Sequence, residues 1–245
     1  MTATSAIEAN LAPHPLNAIY WSMVAGLLYT LGISLILQIV YPPFEAVLTG
    51  EADDAGRKLW MVSTLIQFAI LIRICTWAQK TTGTPFAGEL FTSSNWLAAA
   101  VIMGPIVHLG SRHLIGTLLG GDDPAWAYNE SADLSFVSRT NLGLAMITYV
   151  VVLAPLIEEI GFRGIALGCL LGRKLDPNFA IALTAAGFTA LHLQYSALGL
   201  IPVFMTGLFL GWLRVASGTV AVPIVAHMAA NGASVWLLSL APNTV

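Results

Sequence analysis

The sequence predicts an all-α fold: a polytopic membrane helix bundle of about eight transmembrane segments. Three observations carry that expectation. Only 9% of the 245 residues are charged, against about 25% in soluble domains. Hydrophobic residues make up 57% of the chain, and mean hydropathy is +0.79. The apolar residues also fall in long continuous runs, most of them near the roughly 20 residues that carry a helix across a bilayer core. A membrane β-barrel would alternate instead. Residues 17–245 therefore read as a single membrane-embedded domain. Residues 1–16 carry no Lys or Arg, lack the basic flank of a secretory signal, and read as a disordered leader.

Each segment has its own boundary signals. The first runs from Asn17 to Tyr41, with Tyr20, Trp21 and Tyr41 as interface anchors, and stops at Pro42-Pro43. A charged loop with Glu45, Glu51, Asp53, Asp54, Arg57 and Lys58 follows. The second spans Leu59 to Ala78, and Arg73 near its Trp77 end can snorkel to the headgroups. The third runs from Trp96 to about Leu119, with Pro105 as a kink site and a polar stretch at Ser111-Arg112-His113. The longest soluble loop then reaches Arg139, with an amphipathic piece after Ser131. Thr140 to Ile157 is the fourth segment, and Phe162 to Leu171 a shorter fifth. Pro177 opens the sixth, Asn178 to Leu193. Ala197 to Val215 and Val220 to Leu240 complete the set.

Basic residues distribute unevenly if all eight segments cross. Arg57, Lys58, Arg112, Arg139, Arg173, Lys174 and Arg214 then share one side, which places both termini outside the cytoplasm. That orientation depends on the short fifth segment crossing fully. The formal net charge of −3, without a Lys/Arg-rich stretch, predicts no nucleic-acid partner. Cys75 and Cys169 lie in apolar runs and read as small buried hydrophobes. Gly164-x-x-x-Gly168 and Gly207-x-x-x-Gly211 have the spacing of close helix packing.

Against this apolar background stands Glu158-Glu159-Ile160-Gly161-Phe162-Arg163-Gly164. A charged side chain at the centre of a membrane helix costs at least ~2.5–3.5 kcal/mol. Glu159 and Arg163 are four residues apart and share a helix face, so they can pair. Glu158 is rotated from Glu159 by about 100° and is left to face a partner, a cavity or water. A structural ion cluster or a transporter's ion site would use the same residue types. His192 follows Phe188 by four residues near the end of the sixth segment, where a lone His is usually a packing residue. His227 and Asn231 share a face of the last segment, among alanines that leave room for water or a peptide backbone. Together these are parts for hydrolysis: a carboxylate or imidazole to take a proton from water, and an imidazole or carboxamide to donate to an oxyanion. His192, His227 and Glu158 are also chemically able to hold Zn²⁺. No His-Glu-x-x-His stretch occurs, however, and no Cys joins the set.

Glu-Glu-x-x-x-Arg, Phe-x-x-x-His and His-x-x-x-Asn, in this order on successive membrane segments, resemble the CPBP (ABI) intramembrane proteases, which include the type II CAAX prenyl endopeptidases. The likeness covers about Thr140 to Ser234. It implies that Glu158 activates the attacking water and that His192 positions or deprotonates it. It implies an oxyanion site at His227 and Asn231, a Glu159–Arg163 brace, and Phe188 packed beside His192. A peptide or prenylated protein substrate, a lipid bilayer as surroundings, a metal-independent glutamate mechanism with Zn as the alternative cofactor, and a multi-pass place in a prokaryotic cell membrane all follow from the resemblance. The competing reading is a non-catalytic membrane protein, immunity- or transporter-like, that binds a peptide or ion in the same place. A rhomboid-type site lacks its Gly-x-Ser-Gly setting, and every Asp falls in a loop or at a helix boundary, which disfavours an aspartyl intramembrane protease.

Overall fold

The computed structural model describes residues 93–119, 147–172, 174–192 and 195–240, together with six isolated helical positions from Val62 to Trp77. The leader, the first segment, most of the second, and the loop after Leu119 lie outside the described residues. Every described element is helical. Two helices, Ser94–Leu119 and Ala197–Ser217, are long and apolar enough to cross a membrane.

Helix α1, Ser94–Leu119, continues through Pro105. Its buried stripe is Ala100, Gly104, Ser111 and Ile115, small residues at helical spacing. Val101, Ile102, Ile106, Leu114 and Leu118 point outward, where a lipid solvent, unlike water, exacts no cost for apolar surface.

The next rod is unbroken from residue 147 to 172. It comprises a π-helical segment Tyr149–Leu153, α2 (Ala154–Glu159), a second π-helical segment Ile160–Ala166, and α3 (Leu167–Gly172). The residues at the segment joints keep right-handed helical angles. The fourth and fifth apolar segments expected from sequence are thus one rod, with no reversal between Ile157 and Phe162. The charges there are neutralised by neighbours, so the backbone need not leave the apolar layer to solvate them. The full fifth crossing on which the charge-based orientation depended is absent.

Local chemistry sets the remaining ends. Lys174 adopts a left-handed φ of 61° and donates its N–H to Leu171 O at 2.9 Å, closing α3. Asp176 caps α4 (Pro177–Ala190) by accepting from Phe179 N at 3.0 Å, with Pro177 in the first turn. Ser196 caps α5 (Ala197–Ser217) through Gly199 N at 3.1 Å, and Gly218 ends it at φ 74°. Helix α6 covers Ala221–Leu240.

Contacts fix the directions. Trp96 meets Trp212 edge-on at 6.3 Å, while His108 reaches Thr206, so α1 and α5 are antiparallel. Helix α6 turns back from α5 and therefore runs parallel to α1, against which it lies. Gly207 and Gly211 sit on Ala185 and Ile181 of antiparallel α4. At Gly104 the α1 backbone abuts α6 so closely that an added Cβ would overlap the Ala226 carbonyl oxygen and lie 2.8 Å from its carbon. Gly104→Ala is expected to destabilise the bundle by about 1–3 kcal/mol. Gly110→Ala, with nothing within 4 Å of the new methyl, is expected to be neutral or slightly stabilising. Thermal unfolding in detergent compares the two directly.

Candidate active site

The site lies where α2 and the second π-helical segment face α4, α5 and α6. Consecutive positions on α2 separate the two carboxylates. The Glu159 side chain is 0% exposed, whereas that of Glu158 is 28% exposed. Arg163, also fully buried, donates from one terminal nitrogen to Glu159 Oε1 at 2.9 Å and from the other to Gly207 O at 2.9 Å. Its guanidinium carbon stands 4.7 Å from the ring centroid of Phe188 and 5.9 Å from that of Phe162. Paired charge, a backbone acceptor and two aromatic faces jointly offset the several kcal/mol that desolvating each ion costs. A Cβ built at Gly207 would lie 3.1 Å from Ala185 Cβ but only in ordinary contact, 3.5 Å, with the guanidinium nitrogen, so the glycine serves the α4–α5 crossing.

Glu159 Oε1 has a second partner. His227 Nδ1 lies 2.9 Å from it. An ionised carboxylate only accepts, so Nδ1 carries the proton and the imidazole tautomer is set. The opposite nitrogen, Nε2, then faces Glu158 Oε2 at 3.8 Å. His227 thus bridges the two carboxylates, with the buried one orienting its ring and the open one in front of it.

Asn231, one turn later on α6, donates from Nδ2 to Val150 O at 2.9 Å. That carbonyl is available for a definable reason. In the first π-helical segment the N–H of residue i+5 is the donor, as Ala154 N–H is to Tyr149 O. The corresponding donor for Val150 would be residue 155, a proline with no N–H. The Asn231 amide takes the acceptor that Pro155 leaves, and it keeps a second N–H and its carbonyl oxygen for other partners.

His192 lies beyond α4, which ends at Ala190, in a turn where its N–H bonds Thr189 O at 2.9 Å. The sixth segment expected from sequence is therefore shorter at this end. Nδ1 of His192 donates to Phe188 O at 2.8 Å, which leaves Nε2 with its lone pair. The buried Phe188 ring joins the two imidazoles, at 4.5 Å from His192 and 5.9 Å from His227. Tyr195 stacks on His192 with ring centroids 6.0 Å apart.

Helix α1 adds a residue that the motif reading passed over. His108 Nδ1 lies 3.3 Å from Thr206 Oγ1, beside the Gly207 carbonyl that receives Arg163, and within electrostatic range of His227. Its signal was the one used for His192: an imidazole inside an apolar segment. Among the described residues, no three His, Cys, Asp or Glu side chains group closely enough to hold a metal ion.

Ionisable and imidazole side chains are thus gathered among apolar helices. A family model described as type II CAAX prenyl endopeptidase Rce1-like matches residues 140–233, and the chain belongs to that family. It is 30% identical over 148 residues to a protein of Escherichia coli described as an uncharacterized 24.3 kDa protein, across 56% of this chain and 68% of that relative. No solved structure matches the chain.

The buried ion pair yields a cycle of variants. Arg163→Met alone leaves Glu159 buried without its cation and is expected to cost about 3–5 kcal/mol. Adding Glu159→Leu is expected to recover much of that loss. Denaturant or thermal unfolding of both variants checks the sign of the coupling.

Proposed function

We propose that the protein is an intramembrane endopeptidase that hydrolyses a peptide bond near the membrane surface, of CAAX type or related, with water activated by Glu158. The observation that carries this reading is the division between the carboxylates. Glu159 is consumed by Arg163 and His227. Glu158 is partly exposed, and its Oε2 lies 3.8 Å from His227 Nε2.

In this mechanism Glu158 takes a proton from water as the oxygen attacks the carbonyl carbon of the substrate. His192, whose Nε2 is an acceptor, holds or helps deprotonate that water. The tetrahedral oxyanion is stabilised by the remaining Asn231 N–H and by His227. Because Nδ1 is committed to Glu159, His227 donates from Nε2 only as the imidazolium. Collapse of the intermediate breaks the C–N bond, and protonated Glu158 returns its proton to the leaving amine. A carboxylate with these donors suffices for the chemistry without a metal. A multi-pass place in a prokaryotic cell membrane, and a substrate ending in a lipidated Cys followed by three residues, complete the proposal. The family match and the enclosed polar cluster support it.

The test uses quenched peptides, some prenylated, with the protein in liposomes. Glu158→Gln is expected to lower cleavage by roughly 10²–10⁴-fold while the fold persists, and a strong chelator is expected to have no effect. Loss with chelator and recovery with Zn²⁺ would instead support a metal mechanism. Full function in cells with Glu158→Gln, and no peptide cut, would favour the binding role.

A further inference from the structure

We propose that Pro155 is a positioning residue for the reaction. By withholding a backbone N–H it keeps the Val150 carbonyl open for Asn231, and so fixes the oxyanion donor relative to Glu158. The inference rests on the endopeptidase reading for the role of Asn231. It gives a task to a side chain that carries no reactive group.

The hydrogen bonds of the rod place the effect. In a plain α-helix Val150 O would accept the N–H of residue 154. Here Ala154 N–H donates to Tyr149 O instead, because the π turn inserts one residue. The next N–H in that register would belong to residue 155, and proline has none. Pro155 is fully buried, and the rod runs on unbroken to either side of it. A proline inside a continuous helical rod is disfavoured by its missing N–H and by its ring. Such a local conflict is what a functional site retains.

The open carbonyl meets α6. Asn231 Nδ2 donates to it at 2.9 Å, and a Cβ built at the next residue, Gly232, would touch Val151 Cγ1 at 3.6 Å. The two elements therefore meet at residues 150–151 and 231–232. Only the NH₂ end of a carboxamide can bond a carbonyl oxygen, so this contact sets the orientation of the amide as well as its place. Val150 and Glu158 belong to one rod, about 12 Å apart along its axis, and Pro155 stands between them, three residues before Glu158. Tying Asn231 to Val150 ties the oxyanion donor to the element that bears the base. An N–H at position 155 would compete for that tie. It would share Val150 O directly, or let the π turn relax so that Ala154 N–H takes the same acceptor.

The test compares full-length wild type, Pro155→Ala, Asn231→Ala and the double variant in liposomes, with the same quenched peptides. Pro155→Ala is expected to lower kcat roughly 10- to 100-fold and leave KM nearly unchanged, the signature of a misplaced transition-state donor. Its thermal midpoint is expected to stay or rise, since Ala suits a helix better than Pro. A proline with a merely structural role would lower activity and midpoint together. In the Asn231→Ala background, Pro155→Ala is expected to cost no more than about twofold further, because both act through one hydrogen bond. A second readout needs no turnover. With ¹⁵N-labelled Asn, the Asn231 side-chain resonance, assigned by its loss in Asn231→Ala, is expected to show a hydrogen-bonded, slowly exchanging N–H in wild type. In Pro155→Ala it is expected to move toward the free-amide position. Full kcat in Pro155→Ala, a lowered midpoint, additive losses in the double variant or an unmoved Asn231 resonance would overturn the proposal. Should wild type cut no peptide, the hydrolase reading fails, while the resonance still decides whether Pro155 holds Asn231 to Val150.

Discussion

The site depends on one buried carboxylate. Glu159 is completely enclosed, and a single oxygen of it serves both Arg163 and His227 at 2.9 Å. Through Arg163 this oxygen is linked to the Gly207 carbonyl on α5, and through His227 to α6. Three elements distant in sequence are thereby held to one atom. Among the described residues, Glu159 Oε2 and Arg163 Nε have no hydrogen-bond partner, and a buried polar atom left so costs about 1–3 kcal/mol. The arrangement is retained despite that penalty, as expected of a site selected for its geometry rather than for stability. Phe188 completes it. Its ring touches the guanidinium and both imidazoles, which keeps the polar groups in fixed positions without offering them a competing hydrogen bond.

The π-helical segments on either side of α2 are the second device. A π turn commonly marks a functional stretch of helix, and here the first has a traceable effect. It changes which residue should donate to Val150 O, and Pro155 then removes that donor. A carbonyl left over from helix formation becomes the hook that orients Asn231. The carboxamide is thus positioned by the backbone of the rod that also bears Glu158.

Much of this was legible in the residues. The four-residue spacing of Glu159 and Arg163 announced their contact, and the rotation between adjacent positions separated Glu158 from it. Pro177 located the start of α4, and small residues at Gly207 and Gly211 marked a close crossing. What was not legible has physical causes. Neighbouring charges can neutralise one another inside a rod, so a polar stretch does not require a break, and the separate fourth and fifth segments expected there are a single helix. The hydrogen bond from His227 to Glu159 joins residues 68 positions apart, and no local periodicity encodes such a contact. His108 lay outside the motif region, although its chemistry matched that of residues weighed within it.

The seam between α1 and α6 has a further consequence for traffic through the bilayer. An extended peptide inserted between two backbones requires about 4.8 Å on either side. At Gly104 the α1 backbone already rests on the Ala226 carbonyl, one residue before His227. This flank is shut at the depth of the site. In the proposed reaction, a lipid-attached chain moving sideways in the membrane would reach Glu158 by another gap between helices, with the glycine as a wall of the corridor rather than its door.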